Sequence, residues 1–280
     1  MKLSKMPTCI DSLDLILDGG LPSASLVTLI GETGAGDFEF LVTTIGRILN
    51  HNELKDDSIT LPKKVCYISL TRSKDDILRE IAFSFPDSYE TLKKSIKKGS
   101  FQFKDFSEAF FARSMIPDEW RSTAKKEVSF SSLRWNSEET NLIEALIEYL
   151  DTNAKGKIVI IDSLTALAQH CMTHMKWSDY IVFLYGLQRA SKKWDGFVYA
   201  LLKKGIFEEK QEEEILECMD GAIFFEWEKF GSAQRRRIMY LKKFRGLLPG
   251  LDQDNIVNFE TQITPQRGFE VSNIKKARGI

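Results

Sequence analysis

The sequence predicts an α/β fold: a mostly parallel central sheet flanked by helices, with antiparallel hairpins at its C-terminal edge. Three observations predict it. Short aliphatic runs alternate with amphipathic helical stretches as far as Asp220, the pattern of successive βα units. One of those runs, Leu26-Val27-Thr28-Leu29-Ile30, leads through a glycine-rich turn straight into a helix. Beyond Asp220 the helical pattern gives way to paired strands, which adds hairpins to one edge of the sheet.

From the N-terminus, Leu13, Ile16 and Leu17 recur at helical spacing after Asp11, and Gly19-Gly20 followed by Pro22 reads as a stop and turn. After the glycine-rich turn, Phe38, Leu41, Val42, Ile45 and Leu49 fall on one face of a helix running to about Asn50. The polar stretch from His51 to Lys63 connects it to a second strand, Val65 to Leu70. Ser73 or Asp75 is placed to cap the next helix, which carries Ile77, Leu78, Ile81 and Phe85 and stops at Pro86. Lys93, Lys94, Lys97 and Lys98 lie opposite Leu92 and Ile96 on a short helix that Gly99 ends. Such a charge run is a solvated face. Phe101 to Phe106 alternates at period two, as an edge or half-buried strand does. Residues 107–136 are irregular, but Phe110, Phe111, Met115, Trp120, Phe130 and Trp135 make them too apolar for a free linker. They read as an ordered insertion within a single domain spanning 1–280.

A helix from about Glu138 to Leu150 precedes the most aliphatic strand, Ile158-Val159-Ile160-Ile161, which ends at Asp162. An unbroken aliphatic run marks a central strand buried on both faces, and a carboxylate at its C-terminal end faces the ligand crevice of such a sheet. The same Asp162 also fits an N-cap for a helix starting at Leu164. A helix from Trp177 to Lys193, a strand from Phe197 to Leu202 and an acidic helix from Glu208 to Cys218 follow. The last turns Ile215, Leu216 and Met219 inward and Glu212, Glu213 and Glu214 to solvent. Asp220-Gly221 then opens a strand, Ala222 to Trp227, whose partner after a loop at Gly231 is Arg237 to Phe244. Ile256 to Phe259 and Arg267 to Val271 form a terminal hairpin.

Composition narrows the function classes. With 43% hydrophobic residues the 280-residue chain has ample material for a core, and 39 basic against 40 acidic residues leave a net charge of −1. Global charge therefore points to no polyanion, and nucleic acid is not the expected partner. The four cysteines, Cys9, Cys66, Cys171 and Cys218, have no paired spacing, as expected of reduced thiols in a cytoplasmic protein. No signal-like N-terminal segment and no run of about 18 apolar residues points to a membrane span. His170 and His174 share the spacing of zinc-binding helices, but no third ligand accompanies them, so no metal is expected there. Arg235, Arg236, Arg237, Lys242, Lys243 and Arg245 concentrate basic charge. Alternate strand residues divide between two faces, which favours solvent or a subunit interface over nucleic acid.

The turn itself, Gly31-Glu32-Thr33-Gly34-Ala35-Gly36-Asp37-Phe38, resembles a phosphate-binding P-loop, which asks for Gly, four residues, Gly, Lys and then Ser or Thr. Gly31, Thr33, Gly34, Ala35 and Gly36 keep the outline of the backbone cradle. Asp37 and Phe38 stand where the lysine that reaches the outer phosphates and the hydroxyl that holds magnesium belong. At about 4 Å and an effective dielectric near 20, one unit of charge interaction is on the order of 4 kcal/mol, so this exchange weighs heavily against phosphate. Helix N-termini attract anions. Asp37, Glu39 or Glu32 is therefore expected to fold into the anion hole, the alternative being three solvated carboxylates on a glycine turn.

In order and spacing, these pieces resemble the KaiC-like branch of the RecA superfamily, ATPases that include archaeal flagellar accessory and signalling paralogues. The match runs from Ile10-Asp11-Ser12-Leu13-Asp14 and Gly19-Gly20-Leu21-Pro22 through the loop, Val65 to Leu70, Ile160 to Leu167, Asp220 to Ile223, Leu241 to Gly246 and Gly268 to Val271. It omits the insertion. The resemblance implies a RecA-like P-loop core in which Asp162 is the magnesium-site remnant and Lys243 and Arg245 are a trans-acting pair reaching a neighbour's nucleotide in a ring. It also implies a glutamate after the second strand to polarise water, where this chain reads Leu70-Thr71-Arg72-Ser73. The expectation is a catalytically degenerate relative with no intact catalytic residue and no cofactor. It would act as a structural or regulatory partner in archaeal signal transduction or motility through protein partners or self-assembly, as a ring hexamer by resemblance or as a monomer or dimer. One alternative is a weak ATPase or kinase, using ATP and magnesium, that recruits Lys203 or Lys204 for the lost lysine. Another is a recombinase-like DNA-binding paralogue.

Overall fold

The computed structural model describes residues 4–54, 62–112, 114–116, 142–230, 234–247 and 256–276. Its aliphatic runs become the strands β3 (Leu26–Gly31), β4 (Lys64–Ser69), β5 (Phe101–Asp105), β6 (Lys157–Asp162) and β7 (Phe197–Lys203). Then come β8 (Gly221–Phe230), β9 (Gln234–Phe244), β10 (Ile256–Thr264) and β11 (Gly268–Lys276), which extend the same sheet. The nine strands lie in the order β11-β10-β9-β8-β3-β7-β6-β4-β5. Strands β8, β3, β7, β6, β4 and β5 run parallel, and β9, β10 and β11 add antiparallel pairs at one edge. A separate antiparallel pair, β1 (Lys5–Met6) and β2 (Leu21–Pro22), closes the N-terminal segment.

Period-two alternation along the central strands divides the core between two layers. Val27, Leu29, Val65, Tyr67, Ile158, Ile160, Tyr199 and Phe225 meet helices α1 (Asp11–Asp14), α2 (Asp37–Leu54), α3 (Lys74–Ser84) and α4 (Pro86–Lys98) on one face. Leu26, Ile30, Cys66, Ile68, Val159, Ile161 and Val198 meet α6 (Leu142–Asn153), α7 (Leu164–His174), α8 (Trp177–Trp194) and α9 (Glu209–Glu217) on the other, with the short α5 (Ser107–Phe111) at its margin. Ile158 to Ile161 are fully buried because β6 is flanked by β7 and β4 and covered on both sides. Phe40 on α2 packs edge-on to Phe269 of the terminal hairpin, with ring centroids 5.4 Å apart.

Several boundaries differ from the sequence expectation. Pro86 stops α3 but also starts α4, occupying the first turn, where its missing N–H costs nothing. Helix α2 continues past Asn50 to Leu54, and α1 is a four-residue helix that ends at Asp14 rather than reaching Leu17. Ser73 is the cap of α3, accepting from the Asp76 N–H at 3.2 Å. Asp162 does not cap α7. Ser163 does, accepting from the Ala166 N–H at 3.2 Å, which leaves the Asp162 carboxylate free to turn toward the sheet. The start of the helix expected from Glu138, the loop at Gly231 and most of the insertion at 107–136 lie outside the described residues.

Candidate functional site

The glycine turn leaves β3 between β8 and β7 and enters α2 at Asp37, so it sits at the C-terminal edge of the sheet. Gly34 and Gly36 take left-handed backbone, with φ of 74° and 115°, which a side chain would strain. Gly36 has a second constraint. An added Cβ there would stand 3.1 Å from the buried Phe269 ring, so the terminal hairpin packs against the loop.

The carbonyl side of the loop is strapped to the β8–β9 hairpin. Trp227 Nε1 donates to Thr33 O at 3.1 Å, and Arg237 Nε donates to Gly34 O at 3.0 Å. Trp227 and Arg237 are directly opposed in the ladder, and the guanidinium lies 4.4 Å from the indole centroid, a cation–π pair. Ala35 is fully buried, and its N–H returns to Glu32 O at 3.0 Å. Neither Trp227 nor Arg237 is legible as a loop residue in sequence. Their cross-strand pairing is readable from the hairpin, but the neighbourhood of β8 and β3 is a tertiary fact.

Two carboxylates of the loop, Glu32 and Asp37, go to cations and to β8. Glu32 Oε2 accepts the Trp227 N–H at 3.1 Å, while Lys204 Nζ bridges Glu32 at 3.1 Å and Glu226 at 2.7 Å. Burial alone would lower the Lys204 pKa, but hydrogen bonds to Glu226 and Glu32 more than offset it and hold the ammonium above its usual range. The Asp37 side chain is 3% exposed, packs against the Gly31 backbone so closely that any side chain at residue 31 would collide with it, and pairs with Lys203 Nζ at 2.7 Å. Strand β7 delivers that lysine: Lys203 is the register partner of Gly31, and its own N–H donates to Thr165 Oγ1 at 2.8 Å. Burial raises the Glu39 carboxyl above the ordinary range, with the Asp37 charge adding to the shift.

The remaining groups of the crevice come from β4 and β6. Tyr67, fully buried, donates its hydroxyl to Asp162 Oδ2 at 2.5 Å. Burial pushes the Asp162 carboxyl above the usual carboxylate range, against the Tyr67 hydrogen bond and the charges of Arg72 and Lys203. The native state therefore binds a proton at Asp162 more tightly than the unfolded chain. Asp162 contributes most favourably in acid, and that contribution is lost as pH rises through the raised folded value. Replacing Asp162 with Asn, which keeps an acceptor for Tyr67, should raise Tm at pH 7, at roughly 2–4 °C per kcal/mol for a domain of this size. The gain should shrink toward pH 3, where both proteins are neutral at this position. Parallel melting curves at the two pH values check it.

Arg72 occupies the turn after β4 where the resemblance implies a glutamate. It pairs with Glu80, and its guanidinium lies 5.7 Å from the centroid of the Phe38 ring. The structure thus brings Gly31, Thr33, Gly34, Ala35, Gly36, Asp37, Phe38 and Asp162 to one edge of the sheet. It places Lys243 and Arg245 elsewhere. Phe244 pairs with Gly221 at the opposite edge, where Lys243 Nζ donates to the carbonyls of Leu216 and Glu217 at 2.9 Å and Arg245 approaches Asp220 at 3.8 Å. The basic patch disperses accordingly: Arg236 pairs with Glu260 at 3.0 Å, Lys242 with Glu213, and Arg237 with the loop. The His170 and His174 rings stack at 4.2 Å, and among the described residues no group of three potential metal ligands forms.

A family profile described as the KaiC ATPase matches residues 6–275, nearly the whole chain. The chain belongs to the KaiC family of ATPase domains. In fold this KaiC-family domain is similar to a KaiC-like protein, PH0186, from the hyperthermophilic archaeon Pyrococcus horikoshii OT3. That likeness has a TM-score of 0.64 at 17% identity and covers 97% of this chain and 100% of that one. At that identity the likeness concerns the fold, a RecA-type sheet carrying antiparallel strands at its C-terminal edge. Among curated proteins no sequence matches. No helix of the described residues is long and apolar enough to cross a membrane.

Proposed function

We propose that this KaiC-family domain is catalytically degenerate and acts in the cytoplasm as a structural or regulatory partner, in archaeal signal transduction or motility, through protein partners or self-assembly. The observation that carries this reading is the Asp37 carboxylate, buried against Gly31 at the position where a P-loop presents its lysine. Its pairing with Lys203 leaves the mouth of the loop with no net positive charge from the two residues. Losing one unit of attraction to phosphate, on the order of 4 kcal/mol, corresponds to about three decades of affinity. The donor set also fits a magnesium–nucleotide poorly. Phe38 offers a phenyl ring in place of a hydroxyl, Arg72 stands in place of a carboxylate, and Asp162 Oδ2 is already engaged by Tyr67.

Calorimetric titration with magnesium-ATP should show no binding tighter than the millimolar range. Micromolar affinity would overturn this reading, and steady phosphate release that Asp162→Ala abolishes would place the protein among working ATPases. Solution mass with and without ATP then distinguishes a nucleotide-dependent ring from a constitutive assembly or a monomer.

A further inference from the structure

We infer that Asp37 is a built-in plug, a self-inhibiting contact that holds Lys203 away from phosphate, and that without its charge Lys203 serves as the loop's phosphate-binding cation. The inference rests on the degenerate reading above. Lys203 stands beside Gly31 in the sheet register, and its side chain is 43% exposed at the crevice while the carboxylate it meets is 3% exposed.

The other cations around the loop have different commitments. Lys204 is shared between Glu32 and Glu226, Arg72 is held by Glu80, and Arg237 is stacked on Trp227 with its Nε on Gly34 O. Lys203 Nζ is held by Asp37. The cradle is kept in form, because Gly34 and Gly36 retain left-handed backbone and the straps from Trp227 and Arg237 engage carbonyls, not N–H groups. The Glu32 and Ala35 N–H groups already donate to Phe225 O and Glu32 O, so the donors an oligophosphate meets here are the first-turn N–H groups of α2, which have no partner inside the helix, with a lysine at the same edge of the sheet and one carboxylate between them. Neutralising that carboxylate removes a repulsion and releases a cation in the same step.

The test titrates the full chain with magnesium-ATP and, separately, with inorganic tripolyphosphate, comparing wild type, Asp37→Asn and Asp37→Asn/Lys203→Met. The expected result for wild type is binding no tighter than the millimolar range. Asp37→Asn should bind at least about tenfold tighter, reaching the sub-millimolar range, and the double variant should lose that gain. Asp37→Ala serves as a second variant should the amide not fold, since a smaller side chain leaves the Gly31 contact open. If wild type and a folded Asp37 variant both fail to bind, the plug is wrong and the degenerate reading stands. A gain that survives in the double variant also sinks the plug, because the cation is then not Lys203. Micromolar binding by wild type removes both the plug and the reading it rests on.

Discussion

Lys203→Ala should destabilise this domain by about 3–5 kcal/mol, and Asp37→Asn by less than about 1 kcal/mol, although the two changes break the same ion pair. The asymmetry follows from where each charge is left. The Asp37 side chain is 3% exposed and lies on the Gly31 backbone, so without Lys203 it remains a desolvated carboxylate with no counter-charge. Lys203, at 43% exposure, can turn to water when its partner is neutral, so its ammonium is rehydrated and little is lost. Denaturant unfolding of both variants and of the double mutant checks this. Equal costs for the two single variants would mean that Asp37 is hydrated in solution. The double mutant should recover most of the loss of Lys203→Ala, because no buried charge remains.

Asp220→Ala is the second large effect, at about 2–4 kcal/mol. Asp220 sits at the opposite edge of the sheet, where β8 begins, and its side chain is 6% exposed. One carboxylate oxygen accepts the Leu26 N–H at 2.8 Å and meets Lys192, while the other accepts from Gln188 Nε2 at 3.2 Å and faces Arg245 at 3.8 Å. Truncation leaves the buried Leu26 N–H without its acceptor and brings two cations together with no anion between them. Asp220→Asn keeps an acceptor but not the charge and should fall between wild type and Ala. The loss should appear as a lower urea midpoint with an unchanged slope, the mark of an altered stability rather than an altered fold.

The central elements were legible because their signals are local. Ile158 to Ile161 read as a doubly covered strand, and β6 lies between β7 and β4 with helices on both faces. Gly99 read as a helix stop, and it takes the left-handed cap after α4 with φ of 73°. Pro86 shows the limit of such reading. Proline ends one helix and begins the next equally well; here it does both, and α4 follows because it packs against α2 and β5. The choice between Asp162 and Ser163 as the cap of α7 was equally closed to sequence, since both residue types cap helices and only the burial of Tyr67 draws Asp162 toward the sheet.

The loop divides in the same way. That a glycine turn joins a buried strand to a helix, and that Asp37 and Phe38 stand in the places of a lysine and a hydroxyl, is written in the chain, because spacing along one segment is a local property. What those residues meet depends on which strands lie side by side. Asp37 and Lys203 are joined by the parallel pairing of β3 with β7, and Trp227 and Arg237 reach Thr33 and Gly34 because β8 lies on the other side of β3. Lys243 and Arg245 are parted from the loop by the antiparallel return of β9. Charge partners far apart in sequence are chosen by strand order, and strand order comes from burying the whole sheet at once.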